Sequence, residues 1–205
     1  MKFILMLSII ITSIMPNNNQ VLASNIFSLL DASSICYKVE CKPLKAGYIY
    51  IGDSRTVGMN NTCKMSKEKN TFVVAEVGQG YKWFNNTAMK QVNKIKKEHK
   101  DIEQWVLIIN LGINDLGNCD KYIKSYEKLK DNYDLKLVSV NPIEKHKYIT
   151  NKDVSNFNKK LKSIDDIIYI DTYTYLTKNG YSTRDGLHYD NKTYKSIYSY
   201  IRKEI

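Results

Sequence analysis

"GYIYIGDSRTVGMNN", Gly47 to Asn61, decides how this chain is read. The apolar, β-branched run at 47–51 has the near-continuous hydrophobicity of a strand buried on both faces. Gly52 and Asp53 break it, and the residues from Ser54 onward read as the start of a helix. Arg55 then sits where the partial positive charge of a helix N-terminus favours an acid. A serine at a strand-to-helix junction is either a helix cap or a nucleophile. The arginine beside it is expected either in a salt bridge, for instance to Asp53 or Asp115, or at the rim of a substrate pocket.

Similar apolar runs recur at "FVVAEV" (72–77), "WVLIINL" (105–111), "LKLVSV" (135–140) and "IIYID" (167–171). Amphipathic stretches lie between them: Tyr122, Tyr126 and Leu129 repeat at helical spacing, as do Tyr194, Ile197, Tyr198 and Ile201. Five β–α units joined by short connections predict a mostly parallel five-stranded sheet covered by helices on both faces. Ligands of such sheets bind beyond the carboxyl ends of the strands, so the segment after each run is where chemistry is expected.

The chain has 205 residues, 43% hydrophobic and 25% charged, enough for one domain with a substantial core. It opens with Lys2, an apolar run from Phe3 to Met15, and Val21-Leu22-Ala23 in the pattern of a signal-peptidase site. This predicts a cleaved export signal over 1–23, an N-terminal extension over 24–46 and a catalytic-size domain over 47–205. An uncleaved anchor is the alternative. The formal charge of +10 makes the chain basic. Its lysines are scattered over helix-like stretches, which suits a solvated face and a weak attraction to an anionic cell envelope. No nucleic-acid-binding motif is present. With no CxxC and no cysteine–histidine cluster, zinc is not expected, nor is any other metal or cofactor.

The strand ends carry the chemistry. Gly52-Asp53-Ser54-Arg55 follows the first, Gly78-Gln79-Gly80 the second and Gly112-Ile113-Asn114-Asp115 the third; Asp185-Gly186-Leu187-His188 lies after the fifth. Singly, each is as well explained by a cap, a turn or an ordinary loop. Together they make the set that acyl transfer needs. A serine hydroxyl is a poor nucleophile until a base within about 3 Å takes its proton. Of the three histidines, His99 lies on a lysine-rich helical face and His146 in a charged loop, leaving His188 as the base. Asp185 can orient its imidazole. Glycine at 78 or 80, the Asn114 amide and the Ser54 N–H can hold a developing oxyanion.

These blocks resemble those of the SGNH, or GDSL-type, hydrolase superfamily: Ser54 in "IGDSR", a glycine in "VGQGYKW", Asn114 in "LGINDL", and Asp185 with His188 in "RDGLHYD". The likeness spans about residues 47–201. It implies a flavodoxin-like three-layer α/β/α fold and metal-independent serine esterase chemistry. Ser54, His188 and Asp185 would be catalytic, with Gly80 and Asn114 in the oxyanion hole. Gly80 is preferred to Gly78 because a helix-like stretch begins directly after it. Arg55 replaces the family's leucine, so a lipid preference does not carry over. The α/β-hydrolase elbow G-x-S-x-G fails at Thr56, and the dinucleotide fingerprint G-x-G-x-x-G fails at Trp83.

Given export, the four cysteines are expected as disulfides, Cys36 with Cys41 and Cys63 with Cys119. The second bridge would brace the rim of the site, because Cys63 follows the first helix and Cys119 the Asn114 block. The expected substrate is a short O-acyl ester, acetyl above all, on extracellular or cell-wall carbohydrate, with Tyr81, Trp83 and Phe84 either stacking on sugar or packing in the core. The expected protein is monomeric. An acyltransferase and a non-catalytic glycan-binding module are the alternatives. A metal phosphoesterase using Asp53, Asp115, Asp185 and His188 would leave Ser54 and Asn114 without a part.

Overall fold

The computed structural model describes residues 44–205. The expected signal at 1–23, nearly all of the extension at 24–46 and the pair Cys36–Cys41 lie outside the described residues. Five strands, β1 (Ala46–Gly52), β2 (Thr71–Ala75), β3 (Gln104–Asn110), β4 (Asp134–Val138) and β5 (Ile168–Ile170), form one sheet in the order β2-β1-β3-β4-β5. Every pairing is parallel. Six longer helices complete the described chain: α1 (Ser54–Cys63), α2 (Met89–Glu98), α3 (Cys119–Leu129), α4 (Asn151–Lys162), α5 (Thr172–Asn179) and α6 (Asn191–Glu204).

The continuous apolarity of the strands has a direct cause in this layering. Successive residues face opposite layers, and both layers are covered. Ile49, Ile51, Leu107 and Ile109 join one core with Val92 of α2, Tyr122 and Tyr126 of α3, and Phe157 of α4. Tyr50, Val106 and Ile108 join the other with Met59 of α1, Leu176 of α5, and Tyr194, Ile197 and Ile201 of α6. The fold is therefore a three-layer α/β/α sandwich with a flavodoxin-like strand order.

The same layering overturns the expected Cys63–Cys119 disulfide. Cys63 packs against the α1/α6 core and Cys119 belongs to the α2/α3/α4 core, so the sheet lies between them. Both are free thiols. A bridge needs Cα atoms within about 7 Å, which residues on opposite faces of a sheet do not reach.

The strand order reverses between β1 and β3, and there the crevice for a ligand opens. Gly52 at the end of β1 is in register with Ala75 of β2 and Asn110 of β3, so the three carboxyl ends finish level. The loops after them meet above the sheet.

Candidate active site

Asp53 caps α1: its Oδ1 accepts from the Arg55 N–H at 2.9 Å. The cap is thus the aspartate rather than the serine, and the Ser54 hydroxyl is released from that duty. Ser54 Oγ lies 2.9 Å from His188 Nε2, and His188 Nδ1 lies 2.7 Å from Asp185 Oδ2. Hydroxyl, imidazole and carboxylate stand in one line of hydrogen bonds, although 134 residues separate Ser54 from His188.

Local turn chemistry holds the acid and base together. Asp185 Oδ1 accepts from the backbone N–H groups of Leu187 (3.0 Å) and His188 (2.7 Å), so the carboxylate is tied to the backbone that carries its imidazole. Gly186 makes that turn with φ of +87°, and a Cβ there would come 2.2 Å from the Lys145 carbonyl. Only glycine fits. Partial burial pushes the Asp185 carboxyl up, but the N–H donors of His188 and Leu187 and the imidazole outweigh it and hold its pKa at about 2.

Arg55 is neither a rim residue nor half of an ion pair with Asp53 or Asp115. It is 2% exposed, and its guanidinium donates to carbonyls: Nε to Leu187 (3.1 Å), Nη1 to Asn141 (2.8 Å) and Nη2 to Pro142 (3.4 Å). Its Cζ lies 5.2 Å from the centre of the Tyr189 ring, and the Tyr189 hydroxyl donates to Pro142 O. The arginine ties the loop after β4 to the residues on either side of His188. Its charge at the helix start is accommodated by these carbonyls and by a π face.

On the other side of Ser54, the loops after β2 and β3 are joined by two successive residues. The Asn114 amide donates to the Gln79 carbonyl at 2.8 Å, which leaves its second N–H for another acceptor. The Asp115 carboxylate accepts from the Tyr81 N–H (2.7 Å), the Tyr122 hydroxyl (2.8 Å) and the Asn118 amide (3.0 Å). Gly80 lies between these attachments. A Cβ on it would meet the Asp115 carboxyl carbon at 2.5 Å, whereas one on Gly78 would meet nothing within 4 Å. Gly80 is therefore the glycine that the close approach requires, and Gly78 is a turn glycine with φ of +76°. The Glu76 carboxylate completes the loop by accepting from the Trp83 indole (3.0 Å) and the Gln79 amide (2.8 Å).

Asp53 is 1% exposed, and among the described residues no cation pairs with it directly. Burial pushes its carboxyl up to about 6, against the opposing pull of the Arg55 N–H, the guanidinium and His188. Among the described residues no group of three or more His, Cys, Asp or Glu side chains is placed to hold a metal ion. The four residues of the metal-centred alternative hold Arg55, Tyr81, Tyr122 and one another instead. Of the aromatics after β2, Trp83 and Phe84 are core residues, at 8% and 1% exposed, while Tyr81 is half-buried at the edge of the cleft.

Sequence reasoning missed three contributions: the buried guanidinium on the His188 loop, the Asp115 clamp, and the π-helical turn at Phe84–Ala88 that carries Asn85 and Asn86 of the cleft lining. A charged residue where an apolar one is usual, at Arg55, was the one visible hint.

This level parallel sheet between two helical layers is the fold of solved GDSL-type structures. The chain is similar to a G-D-S-L family lipolytic protein from Veillonella parvula DSM 2008, at TM-score 0.57 and 16% identity, covering 77% of this chain and 97% of that one. It is also similar to the C-terminal catalytic domain of Streptococcus pneumoniae peptidoglycan O-acetyltransferase A, at TM-score 0.57 and 17% identity, covering 79% and 93%. A third is the lipase Lip_vut3 from a goat rumen metagenome, at TM-score 0.56 and 20% identity, covering 79% and 97%. No family model matches the sequence, and no curated protein matches it.

Proposed function

We propose that this protein is an exported serine esterase that removes short O-acyl groups, acetyl above all, from extracellular or cell-wall carbohydrate. The observation that carries the reading is the hydrogen-bonded line from Ser54 Oγ through His188 to Asp185, at 2.9 and 2.7 Å. As Ser54 Oγ attacks the ester carbonyl, its proton passes to His188 Nε2. Asp185 holds the opposite nitrogen and stabilises the imidazolium. The carbonyl oxygen becomes an anion held by the Ser54 and Gly80 N–H groups and the free amide hydrogen of Asn114. Collapse expels the sugar alkoxide, which takes the proton from His188 and leaves an acyl-Ser54. Water, deprotonated by the same histidine, then releases the carboxylic acid and the serine.

Export is supported by the apolar N-terminal segment and its small-residue site. The carbohydrate reading rests on the amide side chains that line the cleft beside Gly80 and Asn114 and on the absence of a long apolar lid segment from the sequence. The acyltransferase alternative shares every step up to acyl-Ser54 and differs only in whether water or a sugar hydroxyl accepts the acyl group. One of the similar folds is named for such a transfer.

Turnover of p-nitrophenyl acetate, labelling of Ser54 by a fluorophosphonate, and acetate release from acetylated glycans test the reading, with Ser54→Ala as the blank. Turnover by the intact protein and its loss in the blank are expected. A Ser54→Ala protein as fast as the parent overturns the mechanism; a parent that neither turns over nor labels leaves the binding module as the better account.

A further inference from the structure

The cleft beside Gly80 and Asn114 has lysines among its lining residues. A cavity of about 540 Å³ holds Gly80 and Asn114 among its lining residues and is also lined by Lys82 and Lys121. A second, of about 350 Å³, shares Tyr81, Asn85 and Lys121 with it and continues along Lys124 and Lys128. The two adjoin through the three shared residues and make one groove, with the proposed oxyanion residues at one end.

The cause is in the helix. Lys121, Lys124 and Lys128 repeat at i, i+3 and i+7 on α3, so they form one exposed stripe beside the groove, while Tyr122 and Tyr126 are buried against the sheet. Among the described residues none of these three lysines, nor Lys82, is in an ion pair. The acids near them are occupied or face elsewhere. Asp120 pairs with Lys160 at 2.8 Å, Asp115 accepts three hydrogen bonds and Glu76 two. Glu127 is exposed on α3 but lines neither cavity. These four like charges along one groove repel one another with no carboxylate in an ion pair to offset them, although Lys121 Nζ also lies 6.0 Å from the centre of the Tyr81 ring. An anionic occupant removes that repulsion. The amides of Asn85, Asn86 and Gln79 on the same walls suit hydroxyl-rich sugar.

We infer that the groove binds an anionic glycan chain, bearing carboxylate or phosphodiester groups, and presents its acyl ester to Ser54. The inference rests on the esterase reading for the last clause only. Binding itself is independent of it.

The test compares acetylated polygalacturonate with neutral acetylated glucomannan at equal acetyl concentration, beside p-nitrophenyl acetate. Expected are a KM for the charged polymer at least 5-fold below that for the neutral one, rising several-fold between 50 and 500 mM NaCl, with p-nitrophenyl acetate insensitive to salt. The triple variant Lys121→Gln/Lys124→Gln/Lys128→Gln should lose most of that preference and keep parental kcat on p-nitrophenyl acetate. Competition by unacetylated polygalacturonate or by poly(glycerol phosphate) tells carboxylate from phosphodiester recognition. Equal KM values for both polymers in the parent, or a triple variant unchanged on the charged one, overturn the inference. If no ester is turned over, titration of the Ser54→Ala protein with the two competitors still decides binding: affinity that falls with salt supports the groove, and none overturns it.

Discussion

The Arg55 guanidinium donates to the carbonyl of Leu187, the residue before His188. One side chain of the helix that begins at Ser54 therefore holds the backbone of the proposed base. The same guanidinium reaches the Asn141 and Pro142 carbonyls, so the loop after β4 and the His188 loop meet on a single buried cation.

Arg55→Leu separates this clamp from a substrate-binding role. Removing the guanidinium leaves the buried Asn141 carbonyl and the part-buried Leu187 carbonyl without its donors, at about 1–3 kcal/mol each where water does not reach, while Pro142 keeps the Tyr189 hydroxyl. It also frees the His188 loop, and a misplacement of about 1 Å at the reacting groups can reduce rate about 100-fold. The expected result is a kcat on p-nitrophenyl acetate lower by about 10- to 100-fold, an unchanged KM, and a lower melting temperature. Arg55→Lys should recover part of the stability, because a lysine can meet one carbonyl but not three. A raised KM with normal kcat and melting would return Arg55 to the rim.

Loss of the proposed nucleophile or of its orienting acid should remove rate without removing the fold. Ser54→Ala and Asp185→Asn are each expected to lower kcat by about 10³- to 10⁴-fold or more. The Asp185 side chain is 54% exposed, so its variant should melt within a few degrees of the parent. Circular dichroism melts run beside the kinetics check both halves.

Gly80→Ala should act through Asp115. The added methyl meets that carboxylate at 2.5 Å, and the carboxylate is held by Tyr81, Tyr122 and Asn118. Either the Gly80 N–H shifts from its place or the clamp opens, and an oxyanion donor is worth about 10²- to 10³-fold in kcat. A loss of that order is expected for Gly80→Ala and little for Gly78→Ala on the rim side, read as kcat on p-nitrophenyl acetate. Gly78 has open space but positive φ, so its variant should show a small loss of stability instead.

Asp53 sets a pH dependence of stability whose sign is fixed by the direction of its shift. Its carboxyl is raised from 3.8 to about 6, so between those values the folded protein holds a proton that the unfolded chain has released. Stability from this group is therefore full below pH 4 and falls as pH rises through 6, by about 3 kcal/mol at most. Asp53→Asn keeps a competent cap. Urea unfolding at pH 4 to 8 should show the variant gaining on the parent as pH rises. A difference constant with pH would contradict the assignment.

The two described cysteines should titrate as thiols. Cys63 is half-buried and Cys119 only 6% exposed, with its thiol pushed up to about 11 by burial. A disulfide-exchange reagent near neutral pH should take Cys63 first and reach Cys119 only on unfolding, since the thiolate is the reacting form. Mass mapping without reductant should find no Cys63–Cys119 link.

Much of the architecture was legible because the signals were local. Runs such as "WVLIINL" and "GYIYI" are apolar at every position only when both faces of a strand are covered, which already implies helices on either side. The residues at the strand ends could be read as a set because the chemistry proposed for them needs a nucleophile, a base, an acid and oxyanion donors together. The cysteine pairing failed for the opposite reason. Cys63 and Cys119 each follow a site loop, but spacing along the chain carries no information about which side of the sheet a helix covers. Arg55 was visible as an anomaly and misread. Its partners are carbonyls 86, 87 and 132 residues away, and a backbone carbonyl has no residue type to recognise.

Sequence alone thus determined the layered parallel sheet and the polar loops at its strand ends, since hydrophobic period and turn chemistry are properties of neighbouring residues. Tertiary structure alone decided three things: that Ser54, His188 and Asp185 stand in one hydrogen-bonded line, that the cap of α1 is Asp53, and that a buried arginine holds the loop that carries His188. Each depends on the distance and direction between atoms brought together only by packing β1, β3 and β4 side by side. Hydrogen bonds and charges act over a few ångströms, a scale on which order along the chain says nothing until the sheet is formed.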